Sequence, residues 1–189
     1  MTDGPEPFVV PDAAAWSAWL AAHEDSSDGV WLVLAKKGTT TPTTLTYADA
    51  LDAALCSGWI DGQKRSLDEA VFLQRFTPRR RRSMWSARNV EHVARLEAEG
   101  RMRARGRAEV DAARADGRWD RTYAGSATIE VPDDLAEALA ATPGAAEAFA
   151  TLNSANRYSV LHPVVTARPG ATRERVVARA VERLVARQL

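Results

Sequence analysis

Val30-Trp31-Leu32-Val33-Leu34-Ala35 is an unbroken apolar run between Gly29 and Lys36-Lys37. A strand with one wet face would alternate polar and apolar residues. An amphipathic helix would repeat its apolar positions every three to four residues. This run does neither and predicts a strand covered on both faces. Such a strand needs neighbours in a sheet and material packed above and below it. The chain must therefore fold around a small sheet, and the flanking sequence shows what covers it.

Residues Met1–Asp12 hold three of the nine prolines and predict an extended arm. Asp12 is placed to cap a helix with Trp16, Trp19, Leu20 and His23 on one face. After the apolar run, Lys36 to Thr44 reads as a loop. Thr46-Tyr47-Ala48-Asp49 is a capping signal with Asp in place of Glu, and the helix it opens turns Ala50, Leu51, Ala54 and Leu55 inward. Gly58 supplies the left-handed residue that ends it. Trp59–Arg65 and Val71–Phe76 then predict a hairpin closed by Ser66-Leu67-Asp68-Glu69.

From Ser86 onward the period becomes helical. Arg88–Glu99 turns Val90, Val93 and Leu96 inward, and Arg107–Asp116 stops at Gly117. Beyond the loop Gly125–Val131, helices are expected at Asp133–Ala141, Pro143–Asn153 and Ser154–Ala167. Thr142 is expected to cap the second, and Pro163 to kink or interrupt the third. Thr172–Arg187 is the clearest helix, with Val176, Val177, Ala180, Val181, Leu184 and Val185 in one stripe. The expected class is α+β: a small mixed or antiparallel sheet packed with helices, then a C-terminal helical part. The division falls into 1–124 and 125–189.

Lys+Arg and Asp+Glu are equal at 25 each, so the whole chain has no net attraction to nucleic acid or anionic membrane. The distribution is uneven. Met1–Asp61 carries 2 basic against 9 acidic residues, whereas Gly62–Val110 carries 13 basic against 6 acidic. The single cysteine, Cys56, allows no internal disulfide and reads as a buried thiol near a helix C-terminus, the end unfavourable to a thiolate. The start of the chain shows no secretory pattern and no stretch is long and apolar enough to span a bilayer, so a cytoplasmic protein without membrane insertion is expected. His23, His92 and His162 have no ligand spacing, and phosphate-loop and hydrolase motifs are missing. No metal and no cofactor are expected.

The candidate chemistry lies between Trp59 and Asn89. Strict alternation along the hairpin puts Trp59, Asp61 and Gln63 on one face, and Phe72, Gln74 and Phe76 on one face of its partner strand. Indole, carboxylate and amide together suit a ligand orienter, although Asp61-Gly62 is also a common turn pair. Arg75, Arg79, Arg80, Arg81, Arg82 and Arg88 form a basic strip interleaved with Phe76, Ser83, Trp85 and Ser86. Guanidinium forks bind carboxylate or phosphate, and Thr77, Ser83 and Ser86 add hydroxyl donors near a helix start where free N–H groups favour anions. The plain alternative is a solvated turn with surface ion pairs. The candidate ligand-binding set is Trp59, Asp61, Gln63, Arg75, Arg79, Arg82, Trp85, Ser86 and Asn89.

Several short segments in fixed order carry a family resemblance. They are Leu45-Thr46-Tyr47 with Leu55-Cys56-Ser57-Gly58-Trp59-Ile60-Asp61-Gly62, Arg75-Phe76-Thr77-Pro78-Arg79 with Ser83-Met84-Trp85-Ser86, and Asp116-Gly117-Arg118-Trp119. Val131-Pro132-Asp133-Asp134-Leu135, Asn156-Arg157-Tyr158 and Thr172-Arg173 follow. Together they resemble the YdeI/OmpD-associated, OmdA-like bacteriocin-protection family along nearly the whole chain. Ser57 stands where that family usually has an aromatic residue, His162-Pro163 interrupts a stretch it keeps helical, and Arg168-Pro169-Gly170-Ala171 is looser than its usual basic turn. The resemblance implies a link to bacterial tolerance of bacteriocins or cationic peptides and transfers no catalytic set.

The expectation is a non-enzymatic binding or protection protein that holds a small anionic molecule or a peptide in a groove built from the hairpin and the Arg79–Asn89 segment. One alternative is a small enzyme with Asp61 as general acid/base and Arg79 stabilising an oxyanion. The other is a nucleic-acid accessory working through Arg79–Arg82, which the neutral net charge disfavours. The oligomeric state is not legible.

Overall fold

The computed structural model describes residues 6–125 and 128–186, which form two compact units. The first comprises Met1–Ser83 and Glu91–Asp116, the second Met84–Val90 and Gly117–Leu189. The boundary expected at 124/125 falls inside the second unit. There Ser86 and Tyr123 bridge in parallel, with Ala87 N donating to Tyr123 O at 2.9 Å, so the segment around Trp85 joins the helical part.

The first unit holds β1 (Pro7–Phe8), α1 (Ala13–His23), β2 (Val30–Ala35), α2 (Tyr47–Cys56), β3 (Trp59–Ser66), β4 (Val71–Pro78), most of α3 (Ala87–Ala98) and α4 (Ala104–Ala115). The sheet order is β1-β2-β4-β3, with β1 parallel to β2 and the other pairs antiparallel. The apolar run is thus an interior strand, as its composition demands. On one face, Trp16 of α1 packs against Phe76 and edge-on to Trp59, and its indole N–H donates to Ala50 O of α2 at 3.1 Å. On the other, Val33, Val71 and Leu73 form a buried cluster flanked by Trp31, and the Arg65 guanidinium lies 4.7 Å above the Trp31 ring. Burying an apolar side chain of this size contributes roughly 1.5–3 kcal/mol.

The expected caps are present. Asp12 accepts from Ala15 N at 2.8 Å, and Thr46 accepts from Asp49 N while its hydroxyl donates to the Asp49 carboxylate at 2.6 Å. Asp68 closes the hairpin by accepting from Ala70 N and Val71 N, and those two bonds hold its carboxyl below the usual range.

α4 begins earlier than the sequence suggests, at Ala104, with Gly106 inside its first turn. Gly106 is there for space. A Cβ at this position would lie 2.2 Å from the Cys56 carbonyl oxygen, so only glycine lets α4 seat on the end of α2, where Arg103 N donates to Cys56 O.

The second unit packs α5 (Asp133–Ala141), α6 (Ala145–Ala150), α7 (Ser154–Thr166) and α8 (Ala171–Val185) around Leu135, Leu139, Phe149, Leu161, Val164, Val177, Val181 and Leu184. One cap differs from expectation, and Pro163 does not interrupt its helix. α6 is preceded by Gly144 at φ 79° and not capped by Thr142, whose hydroxyl instead donates back to Ala138 O. α7 runs through Pro163 because Leu161 and Val164 on either side of it are both buried in the core, and packing outweighs the lost backbone bond. Among the described residues no helix is long and apolar enough to cross a membrane.

Candidate functional site

The nine residues singled out from sequence divide between the units. Trp59 to Arg82 lie in the first, and Trp85, Ser86 and Asn89 in the second. Trp59 is fully buried, edge-on to Trp16 and Trp19, with its indole N–H donating to Glu24 O at 3.3 Å. It is a core residue. Asp61 is half-buried and accepts from the Tyr47 hydroxyl at 2.8 Å, so the side chain is not consumed by turn amides.

Gln63 does not share the face of Asp61. A bulge between Asp61 and Lys64 sets Gly62 and Gln63 opposite Arg75 alone, and the alternation slips by one residue. Lys64 takes the place expected for Gln63, with its ammonium 4.2 Å from the centre of the Phe72 ring. The Gly62 carbonyl freed by the bulge accepts from the buried Gln74 amide at 2.8 Å. Arg75 is half-buried and donates to Asp28 O at 3.4 Å, Arg79 is buried, and Arg80, Arg81 and Arg82 are exposed on a turn closed by Arg80 N donating to Ser83 Oγ. In the second unit Trp85 is buried edge-on to Trp119, Ser86 Oγ accepts from Asn89 N at 3.1 Å at the start of α3, and Asn89 is buried.

A charge network in the first unit escaped the sequence reading. Asp52 accepts twice from Arg95, at 2.6 and 2.7 Å, and His92 Nδ1 lies 3.0 Å from Asp52 Oδ1. Burial pushes the Asp52 carboxyl up, but the bonds from Arg95 and His92 outweigh it and leave the group below its ordinary value. Glu99 bonds both Arg95 and Arg101, which completes a polar clasp between α2 and α3. The partners are about forty residues apart, so no periodicity connects them.

A cleft of about 740 Å³ lies in the second unit. Ile129, Val131 and Val165 give it apolar wall, and Glu130, Asp133 and Asp134 give it carboxylates. Arg173 holds Asp134 through two bonds, at 2.6 and 3.0 Å, and donates a third to Val164 O at 3.2 Å. That pairing keeps the Asp134 carboxyl below its ordinary range. Glu130 and Asp133 make no ion pair and no side-chain hydrogen bond among the described residues, so the cleft carries two carboxylates without a side-chain partner beside apolar surface. The sequence held a partial signal in Ile129-Glu130-Val131-Pro132-Asp133-Asp134, where acidic and apolar residues alternate just before a helix. Nothing in it linked Asp134 to Arg173. Among the described residues no group of three or more His, Cys, Asp or Glu side chains is arranged to hold a metal ion.

Residues 8–109, more than half of the chain, match the family described as a domain of unknown function, DUF8412. The chain belongs to that family. Residues 128–187 match a second family, described as bacteriocin-protection, YdeI or OmpD-associated. The YdeI/OmpD-associated resemblance is therefore sustained over the helical C-terminal segment, while the motifs around Leu45–Gly62 and Arg75–Arg79 fall in the DUF8412 region. Neither the curated proteins nor the solved structures contain a match to the chain.

Proposed function

We propose that the protein is a non-enzymatic, cytoplasmic binding protein acting in bacteriocin or cationic-peptide tolerance, and that the cleft of the second unit receives a peptide that is both cationic and apolar. The observation that carries the reading is the placing of Glu130 and Asp133, carboxylates without a side-chain partner among the described residues, beside the apolar wall of Ile129, Val131 and Val165, inside the segment that matches the bacteriocin-protection family. Lysine side chains bury their alkyl stems on apolar surface while their ammonium groups meet carboxylates, so an amphipathic basic peptide satisfies both parts of the lining. An acidic cleft also removes the difficulty posed by the basic strip, which would repel such a ligand.

The test is isothermal titration with a synthetic helical peptide of lysine and leucine, and with its glutamate–leucine counterpart. Binding of the first alone is expected. Glu130→Gln with Asp133→Asn should weaken it about twofold to thirtyfold, since each of the two rim pairs contributes roughly 0.2–1 kcal/mol. Equal binding of both peptides, or an unaffected double variant, would remove the proposal.

A second reading concerns the first unit. Arg80, Arg81 and Arg82 are exposed and consecutive, which favours an anion contact with carboxylate or phosphate at that turn. Its occupant would be a small anionic molecule. Replacement of the three by Ala should abolish phosphate-dependent thermal stabilisation, and stabilisation that survives would exclude it.

A further inference from the structure

α7 and α8 pack side by side in the second unit and leave a groove of about 200 Å³ along their outer seam. Its apolar part comes from Val160 and Pro163 of α7 and from Val176, Ala180 and Leu184 of α8. Arg179 and Arg183, one helical turn apart on α8, line the same groove and are exposed. Neither makes an ion pair or side-chain hydrogen bond among the described residues. The other arginines of α8 are engaged: Arg173 grips Asp134, and Arg175 donates to Ala171 O. Glu182, the nearest acidic residue in sequence, lines a different groove against α5. The seam thus joins an apolar trough to two guanidinium groups with no internal counter-charge.

From this juxtaposition we infer that the α7–α8 groove is a binding site for a small anionic amphiphile: a carboxylate, sulfate or phosphate head on a short alkyl chain. Guanidinium groups at i and i+4 spacing converge on one oxyanion and offer it forked donors. The trough accepts the chain. At about 30 Å³ per displaced water, it has room for roughly seven heavy atoms, the alkyl carbons that an octanoate carries beyond its carboxylate. A long lipid chain would overhang into solvent, and a neutral alcohol would leave the arginines unused. The site is separate from the acidic cleft, and its ligand has the opposite charge to the peptide proposed there.

The experiment is NMR and calorimetric titration of the full chain with sodium octanoate, with 1-octanol, octylammonium, octyl sulfate and octyl phosphate as comparisons. Octanoate is expected to shift the amides of Val160, Val176 and Ala180. Its affinity should rise about twofold to fourfold per methylene from butanoate to octanoate and then level off. Arg179→Gln with Arg183→Gln should weaken octanoate about tenfold and leave octanol unchanged. Both side chains are exposed, so the variant should keep the wild-type circular dichroism and melting temperature. Comparison of the three anionic heads tells carboxylate from sulfate or phosphate ligands. Octanol or octylammonium binding as tightly as octanoate, an unaffected double variant, or shifts confined to the α5–α8 groove would overturn the inference.

Discussion

Gly106→Ala is expected to destabilise the first unit, and the structure gives the size of the effect. The added methyl would stand 2.2 Å from the Cys56 carbonyl oxygen, 2.8 Å from its carbon and 2.9 Å from Leu55 O. All three are backbone atoms at the end of α2, so no side chain can swing aside. Overpacking of this kind costs roughly 1–3 kcal/mol. Opening the seat would also sacrifice the Arg103 N to Cys56 O bond, roughly 1 kcal/mol more. Against this, alanine gains roughly 1 kcal/mol of helix propensity over glycine. The net loss should be about 1–3 kcal/mol, which moves a urea midpoint down by about 1 M at a typical denaturant slope. Fluorescence of the buried Trp16 and Trp59 reports the transition. Gly38→Ala is the control: its φ of 86° costs a left-handed alanine roughly 1 kcal/mol, with nothing within 4 Å to clash. A Gly106→Ala protein as stable as wild type would refute the close-approach explanation.

Asp134→Asn should lower stability near neutral pH by roughly 1 kcal/mol, a figure reduced because the carboxylate is 42% exposed. The sign follows from Arg173, which holds the folded-state pKa of Asp134 below its unfolded value. The contribution is present above the unfolded pKa of about 3.9 and is lost as pH falls through the folded one. Melting temperatures of wild type and variant should converge in strong acid, and a gap unchanged between neutral and acid pH would contradict the pairing. Cys56 is buried and its thiol is pushed up by that burial, so a disulfide reagent should label it slowly in the native protein and rapidly in urea. Rapid native labelling would show that the end of α2 opens.

Much of the fold was legible because local chemistry and packing agree. The apolar run is β2 from Val30 to Ala35, the Thr46–Asp49 pair opens α2, and the valine stripe turns α8 into the core. The departures have physical causes that alternation or propensity cannot carry. The bulge at Gly62-Gln63 depends on the pairing of β3 with β4, and one inserted residue moved Gln63 off the Asp61 face. Gly106 lies just ahead of the helix expected from Arg107, and its close approach to the Cys56 carbonyl depends on how α4 meets α2. The candidate site was less legible. Trp59 and Trp85 carry the indoles a pocket would use, yet both are buried among other aromatic side chains. The acidic cleft depends on Arg173 neutralising Asp134 while Glu130 and Asp133 stay unpaired. That distinction between neighbouring carboxylates appears only once α8 lies beside the start of α5.

The most direct measurement is a charge swap at the cleft. Glu130→Lys with Asp133→Lys should turn the preference over, so that the glutamate–leucine peptide binds and the lysine–leucine peptide does not. A variant that keeps the wild-type preference would place recognition elsewhere and contradict the proposed role of the second unit.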